Sequence, residues 1–142
     1  MQTLSLILSL AFLADLFSKS RANWCVGQGP GACQLNVMGN PVYTNGGAKY
    51  AIIWANATIY DHMCKMLGYV EKPLQDVAID SQLPWTVVLT WLRPDSQYIE
   101  FCYASTCYEG NFWCSAQDEY GTTIVECLHA FTCASMDRLA SG

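Results

Sequence analysis

An all-β fold, a small disulfide-stapled antiparallel β-sandwich, is what this sequence predicts. Three observations carry the expectation. The chain of 142 residues holds eight cysteines, an even set that suits a disulfide framework. Short runs of strand-forming residues alternate with Gly, Pro, Asn and Asp turns, the pattern of an all-β domain. An apolar run at the start has the length of a secretory leader, which places the remainder in an oxidising compartment.

The leader comes first. Leu4 to Ala14 is apolar, and Asp15, Lys19 and Arg21 end it. A bilayer-spanning helix needs about 20 apolar residues, so this run reads as a signal peptide. Ser20 and Ala22 supply small side chains for cleavage after Ala22, giving a signal peptide at 1–22 and one secreted cysteine-rich domain at 23–142. The stretch 134–142 is polar and lacks the tail of a lipid anchor.

Residues 23–49 are crowded with Gly and Pro, so turns are expected around one short strand near Cys33–Met38. From Tyr50 to Tyr60 every odd position is apolar (Ala51, Ile53, Ala55, Ala57, Ile59) and the even positions are mixed. That alternation predicts a strand with the odd side chains in the core and Tyr50, Trp54, Asn56, Thr58 and Tyr60 on the wetter face. Asp61-His62 reads as a turn, with Lys65–Val70 returning antiparallel. A short strand is expected at Asp76–Asp80, and a longer one from Trp85 to Leu92, closed by Arg93-Pro94-Asp95. Tyr98–Tyr103 alternates again, Glu109-Gly110-Asn111 marks a turn, and Phe112–Ser115 follows. The last element, Thr122–Cys133, has two readings. As a strand it sets Val125, Cys127, His129, Phe131 and Cys133 on one side; as a helix it would make the fold a compact α+β structure. Its β-branched opening favours the strand.

Cysteine positions constrain the topology. Cys25, Cys33 and Cys64 precede the cysteine-free stretch 65–101, and Cys102, Cys107, Cys114, Cys127 and Cys133 follow it. Both groups are odd, so full intrachain pairing needs a bridge across that stretch, which argues for one domain. The sequence alone leaves about a hundred pairings open. Zinc ligation would want Cys-x2-Cys knuckles, and the nearest approach is His62-Met63-Cys64, so no metal and no cofactor is expected.

Composition narrows the partners. Charged residues are 13% of the chain, about half the usual share. The leader takes two of seven basic residues and one of twelve acidic ones, leaving a net charge of −6. Without a Lys/Arg cluster, neither nucleic acid nor an anionic membrane is an expected partner. Asn56-Ala57-Thr58 is an N-glycosylation sequon, making Asn56 the expected glycan site. Tyr50, Trp54 and Tyr60 suggest an aromatic platform for a sugar or a protein. Catalytic signals are thin. Gly27-Gln28-Gly29-Pro30-Gly31 lacks the Lys-Ser/Thr of a phosphate loop, and no Gly-x-Ser-x-Gly elbow occurs. A ribonuclease would have to be assembled from His62, His129, Glu100 and Arg93, and nothing in their spacing joins them. No catalytic residue is expected, and the chain reads as a non-enzyme.

The segments Asn23–Cys33, Ile59–Cys64, Ser81–Thr90 and Cys127–Cys133, with the leader, the even cysteine set and the low charge, resemble small secreted cysteine-rich proteins of filamentous fungi. Many of these are effectors and virulence proteins of plant pathogens, and some are related to killer toxins. The resemblance implies secretion during host colonisation, stability against host proteases, and action by binding a host molecule; a monomer with a host protein or glycan as its partner is expected. Antimicrobial or killer-toxin-like action is the alternative, and a secreted ribonuclease or other hydrolase a weaker one.

Overall fold

The structure is a computed structural model that describes residues 25–47 and 49–133. The expected signal peptide, its cleavage site and the polar stretch 134–142 lie outside the described residues.

Among the described residues nine strands follow one another: β1 (Ala32–Thr44), β2 (Lys49–Tyr60), β3 (Met66–Glu71), β4 (Val77–Ile79), β5 (Val87–Leu92), β6 (Ile99–Tyr103), β7 (Thr106–Glu109), β8 (Trp113–Glu119) and β9 (Thr122–Thr132). All pair antiparallel, in a five-stranded sheet of order β3-β2-β1-β9-β8 and a four-stranded sheet of order β4-β5-β6-β7. The all-β expectation holds, and the last element is strand β9, which removes the α+β alternative. Its odd positions point inward: Val125, Cys127, Phe131 and Cys133 are buried and His129 is half-buried.

The core lies between the sheets. Leu35 and Val37 from β1, Ala57 and Ile59 from β2, and β9 face Ile79, Val87, Leu89, Ile99 and Phe101 from the smaller sheet. Phe101 is fully buried at its centre. Its ring stacks on Tyr108 at 4.8 Å and meets Phe112, His129 and Phe131 edge-on at 5.9, 5.7 and 5.2 Å.

Four disulfides pair all eight cysteines: Cys25–Cys64, Cys33–Cys133, Cys102–Cys107 and Cys114–Cys127. Cys33–Cys133 is the one that spans the cysteine-free stretch, as the odd counts require. It fastens the start of β1 to the residue after β9, where the Cys133 N–H also donates to the Gly31 carbonyl at 3.0 Å.

Two strands each carry an extra residue, and in β2 it overturns the expected facing of the side chains. Between Met38↔Asn56 and Gly39↔Trp54 the pairing skips Ala55, a β-bulge. An extra residue reverses the two-residue alternation beyond it. Ala57 and Ile59 therefore face the core as expected. Past the bulge the even side chains turn inward, so Ile52 and Trp54 are buried while Ile53 is 61% exposed. In β5 the pairing skips Thr90 between Leu89↔Phe101 and Trp91↔Glu100, and burial passes from Leu89 to Leu92. Gly39 sits at the first bulge because a Cβ there would lie 2.6 Å from Ile52 Cγ2 and 2.8 Å from the Ile53 carbonyl.

β1 is also longer than expected, continuing through Pro41 to Thr44. Pro41 is tolerated because β9 leaves β1 at Gly39↔Val125, so from there β1 has β2 alone as a neighbour and Pro41 has no ladder partner on that side. β7 was not expected at all. Its four residues are too few to display an alternation.

One side of the sandwich is closed by a seam. Gly68 of β3 bridges Ser81, just after β4, and the Gln82 N–H donates to the Leu67 carbonyl at 2.9 Å. A Cβ on Gly68 would lie 2.5 Å from Ser81 Cβ and 2.6 Å from the Asp80 carbonyl oxygen. Gly68→Ala should therefore force the seam apart and cost about 1–3 kcal/mol in denaturant unfolding. An unchanged midpoint would show that the seam yields freely.

Candidate functional site: an aromatic cleft between two disulfides

The titratable residues singled out in the sequence are not assembled. His129 points between the sheets and is half-buried, with the ring centroids of Phe101, Tyr108 and Phe112 5.0–5.7 Å away. His62 lies in the turn after β2, where its carbonyl accepts the Gln28 N–H at 3.0 Å. Glu100 is on the opposite face of β6 from Phe101 and accepts a hydrogen bond from Thr90 Oγ1 at 2.9 Å. Arg93 pairs with Asp95 at 2.8 Å and sits over the Trp91 ring. Each of the four is engaged in a different place.

The expected aromatic platform is overturned as well. Trp54 is 6% exposed, turned inward by the bulge, and its indole N–H donates to the Arg93 carbonyl at 3.0 Å. Tyr60 and Thr58 do lie on the outward face of the large sheet, yet they are only 7% and 6% exposed. Burial raises the Tyr60 phenol above its ordinary pKa, a hydrogen bond with Thr58 works against the rise, and Glu126 adds to it. Gln34, Asn36 and Glu126 are buried on the same face, and Asn36 donates to Glu126. The side chain of Tyr50 lies outside the described set. Gly27–Gly31 runs as a connecting segment into β1, tied by Cys25–Cys64 and by the Val26 N–H to the Gln34 side chain at 3.0 Å.

A different aromatic group is open to solvent. At the end of the sandwich where β1 begins and β9 finishes, Trp85, Tyr103, Thr106, Tyr108, Gly31 and Thr132 line a cleft of about 540 Å³. Trp85 forms the rim, 52% exposed, and stands edge-on to Tyr103 at 5.9 Å. Tyr103 is 3% exposed and packs in turn on Phe131 at 5.3 Å. One wall, Pro30–Ala32 with Thr132, is fastened by Cys33–Cys133. The facing wall is the β6–β7 turn, fastened by Cys102–Cys107 across directly paired positions. Among the described lining residues none is charged. Such a cleft offers aromatic faces and hydroxyl groups on a backbone held rigid from both sides, which suits an uncharged ligand and limits the ordering cost of binding it.

Sequence reasoning placed Trp85 and Tyr103 only as strand residues. Their meeting depends on the β5–β6 register, in which Val87 faces Tyr103. The available signal was Cys102 and Cys107, close enough in sequence to bracket a tight hairpin.

No protein-family model matches this chain, and no curated protein and no solved structure matches it either. Among the described residues, no group of His, Cys, Asp and Glu could hold a metal ion, and no helix is long and apolar enough to cross a membrane. The class that the fold defines is a small all-β domain stapled by four disulfides, a construction that fits an oxidising, extracellular setting.

Proposed function

We propose that the protein is a secreted, non-enzymatic binding protein of the effector type, acting on a host molecule. The leader-like segment, the even cysteine set and the resemblance to fungal secreted proteins support secretion. One observation carries the mode of action: an exposed tryptophan on the rim of an uncharged cleft whose two walls are each fixed by a disulfide. Of the two partner classes, protein and glycan, this lining favours a neutral glycan. A sugar ring presents an apolar face to an aromatic side chain and hydroxyls to Thr106 and Thr132, and it needs no counter-charge.

A panel of immobilised neutral glycans, probed with the oxidised protein and with Trp85→Ala, tests the reading. The expected result is binding that weakens at least about tenfold in the variant, the scale of one aromatic anchor. Trp85 is half-exposed and lies outside the central core, so melting should change little. Equal binding by the two proteins would remove the cleft from the mechanism. Failure of the oxidised protein to hold any glycan would move the partner to the protein class.

A further inference from the structure

We infer that Asn56 carries an N-linked glycan whose first N-acetylglucosamine packs against Tyr69 on the outward face of the five-stranded sheet. The inference rests on the secretory route proposed above. The sequon alone is a sequence signal, and three structural observations extend it.

Asn56 lies on the outward side of β2, opposite Met38 of β1 and Glu71 of β3. Its carboxamide, half-buried, makes no hydrogen bond to any described residue, whereas those of Asn36 and Asn40 both do. A group with donors and an acceptor left unused on a sheet face is free to carry a substituent. Tyr69 is the partner of Thr58, one diagonal step from Asn56 on the same face. Such diagonal pairs are about 7–8 Å apart, within reach of a large side chain or of a sugar ring fixed to the asparagine. Tyr69 is 48% exposed and offers that ring an aromatic surface.

The fold also sets the order of events. Thr58, whose hydroxyl the transferase must engage together with Asn56, is 6% exposed in the folded chain. Attachment therefore precedes the pairing of β2 with its neighbours. The Asn56 amide nitrogen attacks the anomeric carbon of an oligosaccharide carried on a polyisoprenyl diphosphate. The new N–C bond replaces the C–O bond to phosphate, the amide loses one proton, and the lipid diphosphate departs, with no change in oxidation state. The attached glycan then lies over β2 and β3, while the Trp85 cleft, at the end where β1 begins, remains uncovered.

The full chain, Asn56→Gln, Tyr69→Ala and the double variant are expressed in a eukaryotic secretory cell, and both medium and lysate are analysed by mass before and after peptide-N-glycosidase treatment. Wild type should carry an enzyme-sensitive glycan that Asn56→Gln lacks. Tyr69→Ala should lower the melting temperature of the glycosylated protein by about 3 °C or more, and by less than half as much in the Asn56→Gln background. Unmodified protein in the medium overturns the glycan and leaves secretion standing. Unmodified protein found only in the lysate overturns both. Equal Tyr69→Ala shifts in the two backgrounds overturn the packing against Tyr69.

Discussion

Replacing Cys33 and Cys133 together by alanine is expected to cost about 4–5 kcal/mol, against about 2 kcal/mol for replacing Cys102 and Cys107. The bridges differ chiefly in the length of chain they close, with sequence separations of 100 and 5. A long closed loop removes far more freedom from the unfolded chain than a short one. Burial acts in the same direction. Cys33 and Cys133 are 1% and 7% exposed, so their loss also leaves unfilled core, whereas Cys102 is half-buried and Cys107 exposed. Equilibrium unfolding in denaturant, without reductant, compares the two double variants directly. Equal losses would mean that the bridges act by holding local geometry, not by restricting the unfolded ensemble. A small domain typically has about 5–15 kcal/mol in total, so the long bridge supplies a large share of what keeps the protein folded.

Phe101→Ala is expected to cost about 3–5 kcal/mol, the range for emptying a buried phenylalanine site. The ring is fully buried and is the common neighbour of Tyr108, Phe112, His129 and Phe131. Those side chains come from β7, the segment before β8, and β9, so the cavity would loosen both sheets at once. Tyr98→Ala, three residues away and 43% exposed, provides the comparison and should change stability by no more than about 0.5 kcal/mol. A Phe101→Ala variant with a midpoint near wild type would show that the aromatic cluster can collapse onto the vacated space.

The strands were legible where one face is uniformly buried. Ile99, Phe101 and Tyr103 alternate cleanly, and the inward set of β9 is the one its sequence displays. The odd division of cysteines correctly required a bridge across residues 65–101. The alternation in β2 was equally clear and yet misleading. Its odd positions are apolar throughout, but the bulge at Ala55 divides them between core and solvent, and an inserted residue leaves no mark in a pattern made of small and apolar side chains. That is why Trp54 was expected outside and Ile53 inside. The cleft was invisible for another reason. Trp85, the hairpin that carries Tyr103 and Tyr108, and Thr132 come from three segments well separated in sequence, and only the closing of the sandwich brings them together. Spacing can suggest a hairpin; it cannot state which hairpin lies beside which strand end.

The Cys33–Cys133 clasp brings the start of β1 and the end of β9 to one place. Ala32 pairs with Thr132, and both lie on the wall of the Trp85 cleft. Anything joined directly to Cys133 starts beside the proposed ligand site, so an affinity tag or fluorescent partner placed there crowds the opening, whereas the chain before β1 runs back to Cys25, bonded to Cys64 after β2. A probe placed instead on the exposed tip of the β1–β2 hairpin, near Gly46, stands at the far end of β1 and leaves the cleft unobstructed.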